Sequence, residues 1–320
     1  MLDRLEKWVK PYIGNTPIRP LNYPGVDLYA KLEYCNFSGS TKDRAAYNMI
    51  REAIAEGKID QNSTVVASSS GNFAIACASI LRLVGIEFVP VVDPNINSAN
   101  LNLLRTLCNH IEMVDVRDNT GGYLLTRIAR VDELCSGENA AYCLDQYNDP
   151  ANFRGYMYTL GQEILDSFEN LDYLFTGVSS GGTITGLSLR LKEAYPNLKT
   201  VAVDVEGSVI FGFPPAPRRV SGIGASQRSA HLNHALVDEV VMITEAELVQ
   251  GCQDLLGQHA VFAGGSSGAC YAAVQKVFGK QGIEGNPTAL FICPDRGYAY
   301  LDNVYNPEWV KAGQKETQLA

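Results

Sequence analysis

The sequence predicts an α/β fold of two domains, with parallel-rich sheets covered by helices. Three observations carry that expectation. From Thr64 onward short apolar runs alternate with helical stretches, and Gly-, Ser- and Asn-rich turns separate them. The alternation also comes in two series, divided at Asn148-Asp149-Pro150. A chain of 320 residues, 46% hydrophobic and 19% charged, can bury one large core or two ordinary ones.

Before the alternation, Ser40 and Asp43 suggest a capping box. Ala46, Met49, Ile50, Ala53 and Ile54 then form one apolar helix face that Gly57 stops. The first series runs through strand 64–67, helix 73–84, strand 88–92, a helix near 98–108, strand 111–114, helix 123–135 and strand 140–144. The second has helix 153–168, strand 173–178, a Gly-rich turn and helix to about Tyr195, and strand 200–205. An irregular Pro-rich stretch, 211–217, precedes strand 239–243, a helix capped by Thr244 and Glu247, the Gly264–Gly268 turn, another helix and strand 289–293. The polar tail after Trp309 is expected to be loosely ordered.

Net charge of −9 without a basic run argues against nucleic acid or a membrane surface as partner and favours small molecules. The eight cysteines form no C-x-x-C pair and fall mostly in apolar runs, which suggests free buried thiols. The four histidines are not spaced as metal ligands beside them, although His231 and His234 could share a helix face. The chain opens on an amphipathic, mixed-charge stretch and has no apolar run of membrane-spanning length, so a cytoplasmic protein is expected.

In open parallel sheets ligands bind beyond the carboxyl ends of strands, which directs attention to the turns there. Lys42 falls in the first turn of its helix, where a cation opposes the helix dipole. The neutral amine is favoured, and a Schiff base needs a neutral amine; a solvated surface lysine is the plain alternative. Ser179-Ser180-Gly181-Gly182-Thr183 could wrap a phosphate or simply connect strand to helix. Its glycines run G-G-x-x-x-G to Gly186, so a dinucleotide fingerprint fails even though Asp204 ends the next strand. Ser69-Ser70-Gly71-Asn72 suits a carboxylate or an ordinary helix cap, and Ser266 could face a ligand or cap its helix.

Taken together, these residues resemble the pyridoxal-phosphate enzymes of the cysteine synthase type, fold type II. The likeness runs through Ile13-Gly14-Asn15-Thr16-Pro17, Lys31-Leu32-Glu33-Tyr34, Lys42-Asp43-Arg44, Ser70-Gly71-Asn72, Gln146-Tyr147 with Pro150-Ala151-Asn152, Gly181-Gly182-Thr183, Gly222-Ile223-Gly224-Ala225, Ser266-Ser267-Gly268-Ala269 and Pro294-Asp295. The resemblance implies a tryptophan synthase β-like fold, a pyridoxal 5'-phosphate cofactor and a homodimer. Its larger, phosphate-binding domain would be 1–38 with 148–320, and its smaller, substrate-closing domain 39–147. It further implies that Lys42 carries the cofactor and Asn72 meets its ring hydroxyl. Ser179, Ser180, Gly181, Gly182 and Thr183 would cradle the phosphate, and Ser266 would face the ring nitrogen. Ser69, Ser70, Asn72 and Gln146 would grip the substrate carboxylate.

The cysteine synthase pattern has T-S-G-N-T and G-T-G-G-T at the two loops. Phe73 and Ser179 depart from it, which counts against sulfide as acceptor. Six further blocks resemble one subfamily: Asp93-Pro94-Asn95-Ile96, Gly121 to Ala129, Gly207 to Gly212, Gly224-Ala225-Ser226, Phe262 to Ser266, and Pro294 to Gly297 with Tyr300-Leu301-Asp302. That subfamily supplies the precursor of 2,3-diaminopropionate for siderophores and peptide antibiotics. The resemblance implies O-phospho-L-serine as donor and the L-glutamate amine as acceptor. Arg127 is the candidate for steering the leaving phosphate, with an exposed helix arginine as the alternative. Tyr147 is a candidate to seat the acceptor or simply to pack. Rival readings are a cysteine synthase using sulfide, a serine dehydratase or racemase, and a catalytically silent scaffold.

Overall fold

A computed structural model describes residues 1–118, 122–137, 140–279 and 285–319. Its strands in chain order are β1 (Ile18–Leu21), β2 (Asp27–Leu32), β3 (Thr64–Ser68), β4 (Glu87–Val92), β5 (Glu112–Met113), β6 (Tyr142–Cys143), β7 (Tyr173–Gly177), β8 (Lys199–Val205), β9 (Glu239–Ile243) and β10 (Thr288–Cys293). They form a six-stranded sheet ordered β1-β2-β10-β7-β8-β9 and a four-stranded sheet ordered β5-β4-β3-β6. Every pairing is parallel except β1 with β2. Parallel strands covered on both faces read as unbroken apolar runs, and six of the seven residues of β8 are buried.

β1 and β2 precede the alternation and escaped it. β1 is a four-residue edge strand containing Pro20, which an edge tolerates because one side of it needs no ladder donor. Other expectations are corrected. Strands 111–114 and 140–144 shorten to two residues each. The expected helix 153–168 spans 151–165 and contains a π turn over Tyr156–Leu160. The Gly264–Gly268 turn lies mostly within the Gly265–Phe278 helix. The tail is helical over Pro307–Leu319. Cys35 is exposed, and Cys108, Cys135 and Cys143 are only partly covered, so the thiols are free but not all buried. His231 lies in a short 3-10 helix that His234 only caps. Gly121 lies outside the described residues.

The Lys42–Ala55 helix starts without the expected capping box. Ser40 Oγ accepts from the Lys42 N–H at 3.3 Å, while the Asp43 carboxylate reaches back to the Ser38 N–H at 2.7 Å and the Ser38 hydroxyl at 2.5 Å. Thr244 and Glu247 do form theirs.

Beneath the lysine turn lies a buried ionic cluster. Arg44 donates to Glu33 through Nε at 2.7 Å and Nη2 at 2.8 Å, and to Glu163 through Nη1 at 2.8 Å. Lys31 Nζ donates to Glu163 at 2.7 Å. Burial alone would push the Glu33 carboxyl up, but Arg44 holds it below its ordinary value. The same opposition brings Glu163 down to about 2. Glycines then bring three helices to backbone contact. A Cβ on Gly155 would lie 2.7 Å from the Arg44 carbonyl oxygen, and one on Gly186 would lie 2.3 Å from that of Phe153.

Candidate active site

The carboxyl ends of β3, β7 and β10 open onto one cleft. It is lined by Lys42, Ser69, Ser70, Gly71, Asn72, Phe73, Arg127, Gln146, Tyr147, Ser179, Ser180, Gly181, Thr183 and Ser266, among others. Of the candidate cofactor- and substrate-binding residues, Gly182 alone is not on that lining. It starts the Gly182–Ala194 helix, where a Cβ would lie 1.9 Å from Asn152 Oδ1.

Burial brings the Lys42 amine down to about 8, partly offset by the attraction of Asp295. The lysine turn is fixed from outside the helix: the Thr41 N–H donates to the Pro294 carbonyl at 2.8 Å, and Ser40 pairs with Asp295 in an isolated antiparallel bridge.

Three helices point their N-termini at the cleft: Asn72–Val84, Gly182–Ala194 and Gly265–Phe278. None receives a side-chain cap. Their first N–H groups are therefore left to whatever the cleft holds, and the dipoles favour an anion there. An ordinary helix cap was the alternative for the Ser69–Asn72 turn and for Ser266, and neither cap forms. Gly181 adopts φ +81°, which a non-glycine residue would adopt only under strain, and the Ser229 hydroxyl donates to the Ser180 carbonyl at 2.5 Å.

On the opposite wall, Gln146 Nε2 donates to the Ser68 carbonyl at 3.1 Å, and Asn152 Nδ2 donates to the Gln146 carbonyl at 2.9 Å. Arg127 is not an exposed helix arginine. It is 9% exposed, its Nη1 is 3.5 Å from Ser70 Oγ, and its Nε lies 3.3 Å from Asp93 Oδ2. Asp93 thus already partners the one arginine on the lining.

Asp295 and Tyr300 are among the lining residues that had no role assigned from the sequence. Asp295 accepts from Asn72 Nδ2 at 2.7 Å and from the Tyr300 hydroxyl at 2.9 Å, both on Oδ2. Pro294-Asp295 directly follows a strand, so the rule that drew attention to the other turns would have found it. Tyr300 carried no such signal.

A phosphate-bearing aromatic aldehyde fits this set. A buried amine that gives up its proton readily can condense with the aldehyde, uncapped helix ends can take the phosphate and a carboxylate, and the Asn72 amide and Ser266 hydroxyl offer neutral contacts to a ring. Fold and cleft together fit an enzyme that works through a phosphate-bearing carbonyl cofactor.

The chain belongs to the pyridoxal-phosphate dependent enzyme family, whose model matches residues 9–295, and pyridoxal phosphate is its cofactor. It is similar to the O-acetylserine-dependent cystathionine β-synthase of Helicobacter pylori: 28% identity, TM-score 0.85, covering 93% of this chain and 98% of that one. It is also similar to a hydrogen sulfide-producing enzyme of Fusobacterium nucleatum, at 26% identity and TM-score 0.86, covering 92% and 99%. To O-ureido-L-serine synthase the identity is 25% and the TM-score 0.84, covering 93% and 94%. The protein is a pyridoxal-phosphate-dependent enzyme of fold type II. Among the described residues no helix is long and apolar enough to cross a membrane, and no cluster of metal-ligating side chains occurs.

Proposed function

We propose that the protein is an N-(2-amino-2-carboxyethyl)-L-glutamate synthase. It would join O-phospho-L-serine to L-glutamate with release of phosphate, as the first step of 2,3-diaminopropionate supply for siderophore or antibiotic synthesis. The observation that supports a phosphorylated donor is Arg127. It brings a guanidinium to the cleft beside Ser70, apart from the Ser180–Thr183 helix end that the cofactor phosphate would take.

Bound pyridoxal phosphate supplies an electron sink for negative charge at the substrate Cα. The chain's own residues do the rest. Ser69, Ser70, Asn72 and Gln146 hold the substrate carboxylate against the Asn72–Val84 helix end. Ser179 to Thr183 anchor the cofactor phosphate. Ser266 would meet the ring nitrogen with a neutral hydroxyl, which, unlike a carboxylate, would not hold that nitrogen protonated. Lys42, neutral once the pH exceeds about 8, takes the Cα proton; the Cβ–O bond breaks and phosphate leaves with the electron pair toward Arg127. The neutral amine of glutamate then bonds to Cβ and loses a proton, and Lys42 returns its own to Cα. Tyr147 seats the acceptor. Residues 39–147 act as the smaller domain that closes on the substrate, and the enzyme works as a homodimer in the cytoplasm. Eight free thiols suit that compartment.

The Arg127–Asp93 contact favours a second reading. With the Asp93 carboxylate 3.3 Å from its Nε, Arg127 attracts a dianion less than a free guanidinium would. A neutral donor such as O-acetylserine, with sulfide as acceptor, is then the competitor. Incubating the enzyme with O-phosphoserine or O-acetylserine against a panel of amino acids and sulfide, and weighing the products, separates the two. A glutamate adduct formed with phosphate release supports the first reading. Cysteine as the only product would replace it with the second.

A further inference from the structure

Asp295 has a geometry that the proposed reaction leaves unused. It is 6% exposed, and its backbone is held between two parts of the site. Ser40, two residues before Lys42, bridges to it on one side. On the other, the Gly264 N–H, one residue before the helix that carries Ser266, donates to its carbonyl at 3.0 Å. Its Oδ2 accepts from both Asn72 and Tyr300, while its Oδ1 is buried with no hydrogen-bond partner. That oxygen lies where a Cβ on Gly264 would sit, 2.1 Å from it, so no side chain could be added there. A buried carboxylate with one oxygen unanswered is costly unless a nearby cation compensates it. Among the described residues Lys42 is the one cation whose field couples to it.

We propose that Asp295 is a positioning residue for the cofactor-bearing end of the cleft. Its charge sets how readily Lys42 gains and releases a proton, and its Oδ2 fixes which edge of the Asn72 amide can donate to a ligand. With Nδ2 tied to Asp295 by one hydrogen, the second amide hydrogen is left for the cofactor. An Asn72 turned by 180° would present its oxygen instead. When Lys42 takes the Cα proton it becomes an ammonium in a poorly hydrated place, and the Asp295 anion stabilises that form. Burial pushes the Asp295 carboxyl up, and Asn72, Tyr300 and Lys42 pull it back. The other titratable groups that feel it, Tyr300 and the Cys252 and Cys293 thiols, are all pushed up and remain neutral near pH 8. Among the described residues around Asp295, Lys42 is therefore the group whose charge changes near pH 8.

The inference rests on Lys42 as the working amine, which Lys42→Ala tests separately, and it is independent of donor and acceptor. The test is Asp295→Asn, nearly isosteric and uncharged. The cofactor-free enzyme is labelled with an amine-reactive reagent across pH, and the Lys42 peptide is quantified by mass. Removing an opposite charge favours the neutral amine, so half-labelling should move down by about one pH unit. In the holoenzyme the acidic limb of kcat should move the same way, with KM for the donor within about twofold. The dissociation constant for pyridoxal phosphate should rise about tenfold as the charged acceptor that orients the Asn72 amide becomes a neutral amide, which can be turned either way. Tyr300→Phe supplies the opposite sign: one donor fewer on Oδ2 leaves the anion less screened and should raise the half-labelling pH. A folded Asp295→Asn enzyme with an unmoved Lys42 profile overturns the proposal. If that variant does not fold, an unmoved profile in Tyr300→Phe does so.

Discussion

Arg127→Ala should damage use of O-phosphoserine far more than use of O-acetylserine, and the structure gives the loss two parts. The first is the charge-assisted contact to the leaving phosphate, about 1.5 to 3 kcal/mol, or roughly ten- to hundredfold in kcat/KM. The second comes from Asp93, which is 6% exposed and 3.3 Å from the guanidinium. Once the arginine is gone, a poorly hydrated carboxylate faces the incoming dianion. At an effective dielectric of about 20 and a separation of about 8 Å, each charge pair repels by about 2 kcal/mol. Phosphoserine turnover should therefore fall at least a hundredfold in Arg127→Ala, and Arg127→Ala with Asp93→Asn should recover at least tenfold of that. The neutral ester should change less than threefold in both variants. The assay is initial-rate release of phosphate or acetate under the same acceptor. Equal losses for the two donors would refute the reasoning and make Arg127 a structural partner of Asp93. No recovery in the double variant would refute the electrostatic half alone.

Lys42→Ala should abolish turnover together with the visible absorbance of the cofactor-loaded protein; absorbance retained in that variant removes Lys42 from its role. Ser266→Asp should slow departure of the β-substituent and add absorbance at longer wavelength, because a carboxylate holds the ring nitrogen protonated and drains charge into the ring; an unchanged rate and spectrum would mean that Ser266 does not meet the cofactor. Arg44→Leu leaves Glu33 charged and fully buried, and should cost about 3 to 5 kcal/mol in urea unfolding, whereas a loss under 1 kcal/mol would mean the cluster is replaceable. Glu163, held at about 2 when folded against an ordinary 4.5, contributes stability that is complete above pH 4.5 and lost as pH falls toward 2. It amounts to on the order of 3 kcal/mol, so Glu163→Gln should flatten the acid side of the stability curve.

Most of the fold was legible because its signals are local. Thr64–Ser68 and Lys199–Val205 are apolar runs long enough for a strand, and a small-residue turn follows the first of them. What failed depended on distant chain. β1 makes sense only as an edge beside β2, which itself pairs with β10 near the other end of the sequence. Ser40 looked like a helix cap, but Asp43 found a better donor in Ser38, and Asp295 fixes the turn from outside. The ion pairs of Glu33, Arg44 and Glu163 carried no local signal, because nothing within ten residues of any of them announces its partner. The cleft was legible residue by residue, since each turn could bind an anion. Their meeting at one mouth followed from the places of the turns beyond strand ends, and the cleft bears that out; the partners of Asp295 did not follow, because its chemistry lies in Asn72 and Tyr300 on two separate elements.

The glycine contacts at Gly155 and Gly186 act as a gauge. Side-chain packing has slack, because a methyl group can be traded for a rotamer, but two backbones touching through a missing Cβ have none. The Lys42 helix rests on the segment that carries Gly155, and the Gly182 helix rests on the same segment through Gly186. The span from amine to phosphate cup is thereby calibrated against peptide geometry. A mutational walk could alter what enters the open side of the cleft, donor and acceptor alike, without disturbing that span. Such a scaffold can change its trade in substrates many times and still accept a single length of cofactor.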